Sequence, residues 1–227
     1  MAHTTTENEW EVVGERIRDA RERSGMSVRE LARRIDVSAS HVSQVERGLA
    51  SFSVRALYNV VSILGISMDS LFESDSEPST GPNAAIAEMA ATAQPGPLDE
   101  AGIVQRGTLR PAIQLDSGPR WERLTPKAEV GVEFIQVVYE PNPGGTPPED
   151  YIRHAGREYG VIISGVLNVQ VGFGEATLYP GDSIAFDCSI PHRFWNEGSE
   201  RVVAVWFVMD EPHEEDRQFS SEGPTPH

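Results

Sequence analysis

Apolar residues in the first third of the chain recur at helical spacing. One predicted helix, Val54–Leu64, has its apolar residues mainly on one face and ends at Gly65, a residue that favours helix ends. Two further helices are predicted over Val12–Arg23 and Ser67–Phe72. Between them, Ser27 is predicted to cap a helix over Val28–Ile35, and Ser38 to cap the helix that follows it. The pattern predicts a five-helix domain.

The second half of the chain has a different pattern. Its apolar residues are largely β-branched or aromatic and occur in short runs separated by Gly, Pro and Asn, which is typical of strands joined by turns. The predicted strand runs are Val132–Tyr139, Val161–Ile163, Val166–Val171 and Val202–Val208. The chain is therefore predicted to be a multidomain protein, first α and then β.

A segment rich in Ser, Pro, Gly, Ala and acidic residues separates the two halves. Residues 73–102 contain six acidic residues and no Lys or Arg, a composition that buries too little apolar surface to fold alone. We expect an acidic flexible linker there. The predicted divisions are a flexible N-terminus at 1–11, a helical domain at 12–72, the linker, a β domain at 103–210 and a flexible tail at 211–227.

The charge is distributed unevenly along the 227 residues. The formal net charge is −16, but residues 11–72 hold nine arginines against eight acidic residues, whereas residues 103–227 hold ten cationic and nineteen acidic residues. The nearly balanced charge of the helical domain is therefore compatible with a phosphate-binding surface there. The acidic remainder is expected to weaken non-specific binding to DNA.

The sequence also limits the compartment and the chemistry. It has no apolar run as long as the roughly 20 residues of a membrane span and no secretory leader, so we expect a soluble, cytoplasmic protein. A single cysteine, Cys188, excludes an internal disulfide and a cysteine zinc cluster. Any metal must then be held by His and carboxylate groups. Cys188 itself is interpreted as a small buried apolar residue.

Two short helices joined at Asp36–Val37 carry the first recognisable motif. Their apolar residues fit the packing of a helix-turn-helix: Leu31, Ala32, Ile35, Val37, Val42 and Val45. Together with the segment Ser40–Gly48, they make residues 17–71 resemble the helix-turn-helix of the XRE (Cro/CI-type) family. Asp36 replaces the glycine that is frequent in the family's turn, and Asp tolerates a left-handed backbone better than most residues.

The resemblance implies a set of DNA-contacting residues. Ala39, Ser40, Ser43 and Gln44 are expected to face base edges, and Ser27, Val28, Arg29 and Arg47 to contact phosphates. Ser38 and His41 complete the expected DNA-binding set. Gln44 is the main candidate for base recognition, because its amide can pair with adenine through two hydrogen bonds. Two other interpretations stay open: Ser40 and Ser43 as plain solvated surface, and Glu46 with Arg47 as a surface ion pair.

The β domain carries two further clusters, His154-Ala-Gly-Arg-Glu158 and the segment Pro180–Asn196. Alternation along a strand would place His154 and Glu158 on one face. The clusters resemble the two motifs of the cupin domain, a jelly-roll (double-stranded β-helix) barrel, over residues 103–209. By this resemblance, His154, Glu158 and His192 are the matched metal-ligand positions, and Ile152 replaces a further histidine.

Three interpretations of this barrel remain open. Two imidazoles and one carboxylate could hold one divalent Fe, Mn or Zn ion. Alternatively, the apolar Ile152 indicates a pocket for an organic ligand, lined also by Phe194 and Asn196. The histidines could also be ordinary hydrogen-bonded barrel residues. Further aromatic residues could line the pocket or only fill the core: Trp121, Trp195, Trp206 and Phe207.

The order of the two domains resembles XRE-family regulators with a C-terminal cupin sensor. Three segments support this: Arg120–Pro126, His154–Gly160 and Ser189–Asn196. The resemblance implies a non-enzymatic, homodimeric transcriptional regulator that binds an operator in double-stranded DNA and a small effector. One alternative is a mononuclear non-heme iron oxygenase similar to the hydroxypropylphosphonate epoxidases, which share the same domain order. Another is a cupin domain that serves only dimerisation.

Overall fold

A computed structural model describes residues 4–72, 96–115, 118–149 and 151–209. Its helices are α1 (Thr4–Arg23), α2 (Val28–Arg34), α3 (Ala39–Val45), α4 (Val54–Leu64) and α5 (Pro97–Glu100), with 3-10 turns at Met68–Phe72 and Gly107–Leu109. Its strands are β1 (Ala112–Gln114), β2 (Arg120–Arg123), β3 (Val132–Tyr139), β4 (Arg157–Ser164), β5 (Leu167–Val171), β6 (Gly174–Leu178), β7 (Ser183–Asp187), β8 (His192–Trp195) and β9 (Val202–Met209). None of the helices in these ranges has the length and apolar character needed to cross a membrane.

The helix-turn-helix forms at α2 and α3 through local hydrogen bonds that the sequence predicts. The Ser27 hydroxyl accepts a hydrogen bond from the Glu30 N–H at 3.2 Å, and the Ser38 hydroxyl accepts one from the His41 N–H at 3.0 Å. Asp36, in the turn between the helices, has φ of 58°, so the predicted left-handed backbone is confirmed. The two caps and this turn fix where both short helices begin and end.

Helix α1 begins at Thr4, earlier than the predicted Val12, so the first helix includes most of the segment that we expected to be a flexible N-terminus. Trp10 and Val13 are both buried, and the Trp10 indole N–H donates a hydrogen bond to the Gln114 carbonyl of the β domain. Helix α1 therefore has a packing partner outside its own domain. The sequence of the helix alone does not reveal that partner.

The predicted linker is ordered where it reaches the β domain. Residues 96–102 contain the short helix α5, in which the Asp99 carboxylate accepts a hydrogen bond from the Gly96 N–H at 2.9 Å and pairs with Arg106. Proline at the first helical position suits a helix start because its missing N–H needs no partner there. Residues 73–95 and 210–227 lie outside the described residues. The flexible linker and the flexible tail expected there therefore remain predictions.

The β domain consists of two antiparallel sheets. One has the strand order β1-β2-β3-β9-β4-β7, and the other has the order β6-β5-β8. Phe194 on β8 contacts Trp206 on β9, with ring centroids 4.5 Å apart, so the inner faces of the sheets pack against each other. This is the jelly-roll arrangement that the sequence predicts, and its inward-facing residues form the wall of the site described below.

A buried ion pair ties α1 to the end of α3. Arg21 and Glu46 are both less than a tenth exposed, and Arg21 Nη2 lies 2.9 Å from Glu46 Oε2. The surface pair of Glu46 with Arg47 that we considered is therefore wrong, because Glu46 faces the domain interior. Removing one partner of such a pair leaves a buried charge uncompensated. The exposed Arg47 instead donates to the Ser43 carbonyl at 2.9 Å.

The two domains are in direct contact. The 3-10 turn Met68–Phe72 places Asp69 against the β domain, where its carboxylate accepts a hydrogen bond from the Glu129 N–H at 2.8 Å. Asp69 also lies 3.9 Å from Arg123 Nε, and both side chains are at most 5% exposed. The helical domain is thus docked on the barrel and not only tethered to it.

Replacing Gly160 by alanine should destabilise the β domain. An added Cβ would meet the Trp206 ring at 2.2 Å, so the indole would have to move within the packed interior. Thermal or denaturant unfolding of Gly160→Ala should show a loss of about 1–3 kcal/mol. The matched control is Gly174→Ala, whose Cβ would approach nothing nearer than the Val171 carbonyl oxygen at 3.6 Å. Equal stability of the two variants would contradict this packing.

Candidate functional site

Three side chains converge inside the barrel near its opening. His154 lies in the loop before β4, Glu158 lies on β4 and His192 begins β8. Each offers one ligand atom, and these atoms all lie within 4.8 Å of one another. His192 Nε2 is 3.5 Å from Glu158 Oε2. These are the three positions that the cupin resemblance implies for a metal.

The backbone route by which His154 reaches the site differs from the prediction. Strand alternation was expected to align it with Glu158, but β4 begins only at Arg157. Ile152 forms an isolated bridge with His192, and Gly156 then adopts φ of 98°. A glycine permits this bend because a side chain would be strained at that angle. The loop therefore folds His154 back toward the site.

In both imidazoles, a backbone hydrogen bond occupies Nδ1 and leaves Nε2 available to a ligand. Nδ1 of His154 lies 2.9 Å from the Ala155 carbonyl oxygen, and Nδ1 of His192 lies 2.9 Å from the Ile190 carbonyl oxygen. A carbonyl oxygen only accepts, so in each ring Nδ1 carries the proton and Nε2 has the lone pair. His154 Nε2 is buried and makes no hydrogen bond among the described residues. Such backbone bonds are typical of metal-ligating histidines.

Burial opposes charge on all three groups. It lowers the pKa of His154 to about 4, lowers the pKa of His192, and raises the pKa of Glu158 to about 8. At neutral pH the site thus favours two neutral imidazoles and a protonated carboxyl group. The 3.5 Å contact between Glu158 and His192 thus joins two groups in which burial disfavours the charged form. A bound cation would favour the ionised form of Glu158, because it would place a positive charge next to the carboxylate.

Cys188 is fully buried next to this group, in agreement with the interpretation from the sequence. Its thiol lies 4.0 Å from Glu158 Oε2, and burial raises its pKa well above the ordinary value. A thiol that resists ionisation is a poor nucleophile and a poor metal ligand. Cys188 thus contributes packing and one weak donor to Glu158.

A cavity of about 530 Å³ opens beside the three residues. Its wall includes the predicted pocket residues Ile152, Phe194 and Asn196 and the aromatic residues Trp121, Trp195 and Trp206, together with Tyr139, which the sequence analysis did not select. Asn196 is largely engaged in structure, because its amide N–H groups bond backbone carbonyls such as that of Glu200 at 2.8 Å. The volume is within the range of sites for small organic molecules.

Phe207 does not line this cavity. It is 36% exposed on the outer face of the larger sheet and contacts Phe134 and Tyr159 on the neighbouring strands, with ring centroids 6.3 Å away in each case. The interpretation of Phe207 as a pocket or core residue is therefore wrong. Alternation along β9 points Trp206 inward and its neighbour outward.

The helical domain forms part of the cavity wall. Ser53, Val54, Arg55 and Tyr58, at the start of α4, line it together with barrel residues. This contribution was not predicted, although the sequence of α4 carries a signal for it. Its buried residues, Val54, Ala56, Leu57, Tyr58, Val60 and Val61, cover more than one face of the helix. A helix that is apolar on several sides needs more than one packing partner.

The proposed DNA-contacting residues lie together at α2 and α3. Ser40, Gln44, Arg47 and Arg29 are exposed, and Ser43 is half-buried. Ser27 and Ser38 are exposed as well, but their hydroxyls already cap the two helices. Val28 and Ala39 pack partly against the domain core. The exposed polar surface at α3 is therefore formed mainly by Ser40 and Gln44 of the helix and by Arg47, which follows its C-cap Glu46.

His41 has an additional contact. Its ring packs edge-on against Phe52, a fully buried residue two positions before α4, with centroids 5.3 Å apart. The half-buried imidazole thus links α3 to the segment that leads into α4. This contact anchors the helix whatever role His41 has toward DNA.

Two protein families match the chain. The helix-turn-helix family matches residues 17–71, and the cupin domain family matches residues 137–208. These ranges contain α2 and α3 in the first case and all three converging site residues in the second. The two domain types that the sequence predicts are thereby confirmed.

Relatives with the same overall organisation are known. The HTH-type transcriptional regulator PuuR of Escherichia coli (strain K12) is 21% identical over 194 residues, which cover 85% of this chain and 92% of that protein. A crystal structure of an HTH_3 family transcriptional regulator from Vibrio cholerae is 19% identical, with a TM-score of 0.60, and the match covers 92% of this chain and 100% of that one. It shows a shared fold.

A hydroxypropylphosphonic acid epoxidase from S. wedmorenis is 21% identical over 91% of this chain and 100% of that one, but its TM-score of 0.39 is too low to bear on activity. The two family matches and the match to the regulator PuuR include both domains of the chain. The chain thus combines an XRE-type helix-turn-helix DNA-binding domain with a C-terminal cupin domain and is a homologue of HTH-type transcriptional regulators.

Proposed function

We propose that this protein is a transcriptional regulator whose DNA binding responds to a small molecule, a divalent metal or both held in the cupin barrel, and that it is not an enzyme. The observation that carries the proposal is the cavity, whose wall is built from barrel residues and from the DNA-binding domain. An occupant would contact both domains at once. A barrel that served only dimerisation would not need such a cavity.

For the DNA contact, we assign base recognition to the exposed face of α3. Gln44 is exposed near the end of this helix and offers an amide that can pair with an adenine edge. Arg47 carries a charge at the same surface and suits a phosphate contact, which positions the protein without selecting a sequence. A regulator that binds the chromosome would act in the cytoplasm.

For the barrel, we assign one divalent Fe, Mn or Zn ion to His154, Glu158 and His192. The fit rests on three candidate ligand atoms that all lie within 4.8 Å of one another and on the buried Nε2 of His154 that has no hydrogen-bond partner among the described residues. Two histidines and one carboxylate are a common ligand set for these metals. When bound, the ion would supply a positive charge and open positions for an anionic or polar ligand group.

A second copy of the chain is the partner that we propose for the outer face of the larger sheet. Phe134, Phe207 and Tyr159 form a row across β3, β9 and β4, and each is at least one third exposed. Exposed apolar patches of this kind often mark association surfaces. A homodimer would carry two copies of α3, as binding to a dyad-symmetric operator requires.

Selection of binding sites from random DNA tests the regulator directly. The wild-type protein should enrich a dyad-symmetric sequence, and Gln44→Ala should change preference at particular bases by about 1–3 kcal/mol. Arg47→Ala should weaken all sequences alike and lower the salt dependence. Arg201→Ala, which removes an exposed charge from the barrel, is the control and should bind normally. An equal loss on every sequence with Gln44→Ala would refute base recognition by Gln44.

Metal analysis tests the barrel site. After loading with Mn(II) and removal of free ion, the wild-type protein should retain about one ion per chain. His154→Ala, Glu158→Gln and His192→Ala should each lose it, since each removes one of three ligands. His41→Ala removes a histidine outside the site and should retain the ion. Equal metal contents in the wild type and all three ligand variants would exclude the assignment.

Oxygen chemistry at the same residues is the second candidate function. Two imidazoles, one carboxylate and an adjacent cavity also suit a non-heme Fe(II) oxygenase. An oxygen electrode tests it: protein loaded with Fe(II) would consume oxygen with a substrate that fills the cavity, and His192→Ala would abolish consumption without changing DNA binding. As a regulator, the protein should show no consumption above that of His192→Ala across a panel of small metabolites.

A further inference from the structure

An aromatic stack joins the DNA-binding domain to the candidate metal site. The ring of Tyr58, on α4, lies parallel to the His154 imidazole, with a 4.0 Å centroid separation and an interplanar angle of 2°. The Tyr58 hydroxyl donates a hydrogen bond to Glu133 Oε2 at 3.2 Å. On another side the Trp121 ring packs against it at 5.8 Å. Tyr58 is therefore fixed by the barrel on several sides.

Stacking constrains His154 in a way that the barrel alone does not. Within the barrel, the imidazole has the hydrogen bond from Nδ1 to the Ala155 carbonyl and an edge-on contact with His192 at 5.5 Å. These two contacts by themselves do not fix the tilt of the ring about the Nδ1 bond. A parallel tyrosine on its face removes that freedom, while Nε2, which lies in the ring plane, stays available to a ligand.

We propose that Tyr58 is a positioning residue for the metal site, so that the DNA-binding domain completes a site whose ligands all come from the cupin domain. The inference rests on the metal assignment made above. Metal binding and docking of the helical domain should then favour each other. An imidazole that Tyr58 already holds in place loses less conformational entropy when it coordinates a metal. Linkage requires the effect to be reciprocal.

The same segment reaches the helix proposed to contact DNA. Phe52 contacts His41 of α3, Ser53 and Arg55 line the cavity, and Tyr58 stacks on His154. Residues 52–58 therefore form a short, contiguous connection between the barrel site and α3. The neighbouring buried pair of Asp69 and Arg123 holds the domains together beside it. A change at the metal site can thus reach α3 without passing through residues 73–95.

Metal titration of full-length variants tests Tyr58. Affinity for Mn(II) would be measured by competition with a chelating dye. Tyr58→Leu removes the stack and should weaken binding about 10-fold, the lower end of the effect of contacts that orient metal ligands. Tyr58→Phe keeps the ring, loses only the hydroxyl, and should bind as the wild type does. The control Tyr179→Leu, at an exposed tyrosine outside the cavity, should also be unchanged.

Hydrogen exchange on the same proteins separates positioning from simple packing. Mn(II) should slow amide exchange in α4 in the wild type and in Tyr58→Phe, but not in Tyr58→Leu, even at saturating metal. Equal Mn(II) affinity of Tyr58→Leu and wild type would overturn the positioning role alone. Wild-type protein that binds no Mn(II) would overturn both this inference and the metal assignment. Equal weakening by Tyr58→Phe and Tyr58→Leu would refute the stack as the cause.

Discussion

The contact between Tyr58 and His154 is the interaction on which the arrangement of this protein depends. It brings a helix of the DNA-binding domain to the opening of the barrel, and it closes one side of the cavity with residues from outside the cupin fold. Asp69 and Arg123 support the contact with a second buried connection. A flexible linker by itself would transmit little between domains, whereas packed surfaces can exist in discrete alternative arrangements.

The chemistry of the barrel follows from how deeply its polar groups are buried. Glu158 is buried, which opposes its ionisation, and both neighbouring imidazoles already use Nδ1 in backbone hydrogen bonds. The candidate ligand atoms of the three residues lie within 4.8 Å of one another, an arrangement that a cation would stabilise. Ile152 adds an apolar wall instead of a further ligand. The site therefore suits an ion with open coordination positions next to a partly apolar ligand.

Much of this could be predicted from local sequence, because local rules determine it. Ser27, Ser38 and Asp36 fix the helix-turn-helix through hydrogen bonds and backbone angles within a few residues. Features that depend on distant partners could not be predicted in this way. Trp10, Glu46 and Tyr58 each have a defining contact 25 or more residues away. The motif around His154 predicts a site residue, but strand alternation does not explain its position, because His154 lies in the loop before β4.

The most direct test of the docked arrangement is the NMR spectrum of the imidazole protons of His154 in the full-length protein. A ring held 4.0 Å above a parallel tyrosine should have its carbon-bound proton resonances shifted strongly upfield by the ring current of Tyr58. The shift should persist in Tyr58→Phe and disappear in Tyr58→Leu. Resonances of His154 at ordinary positions that do not respond to Tyr58→Leu would contradict the docked arrangement.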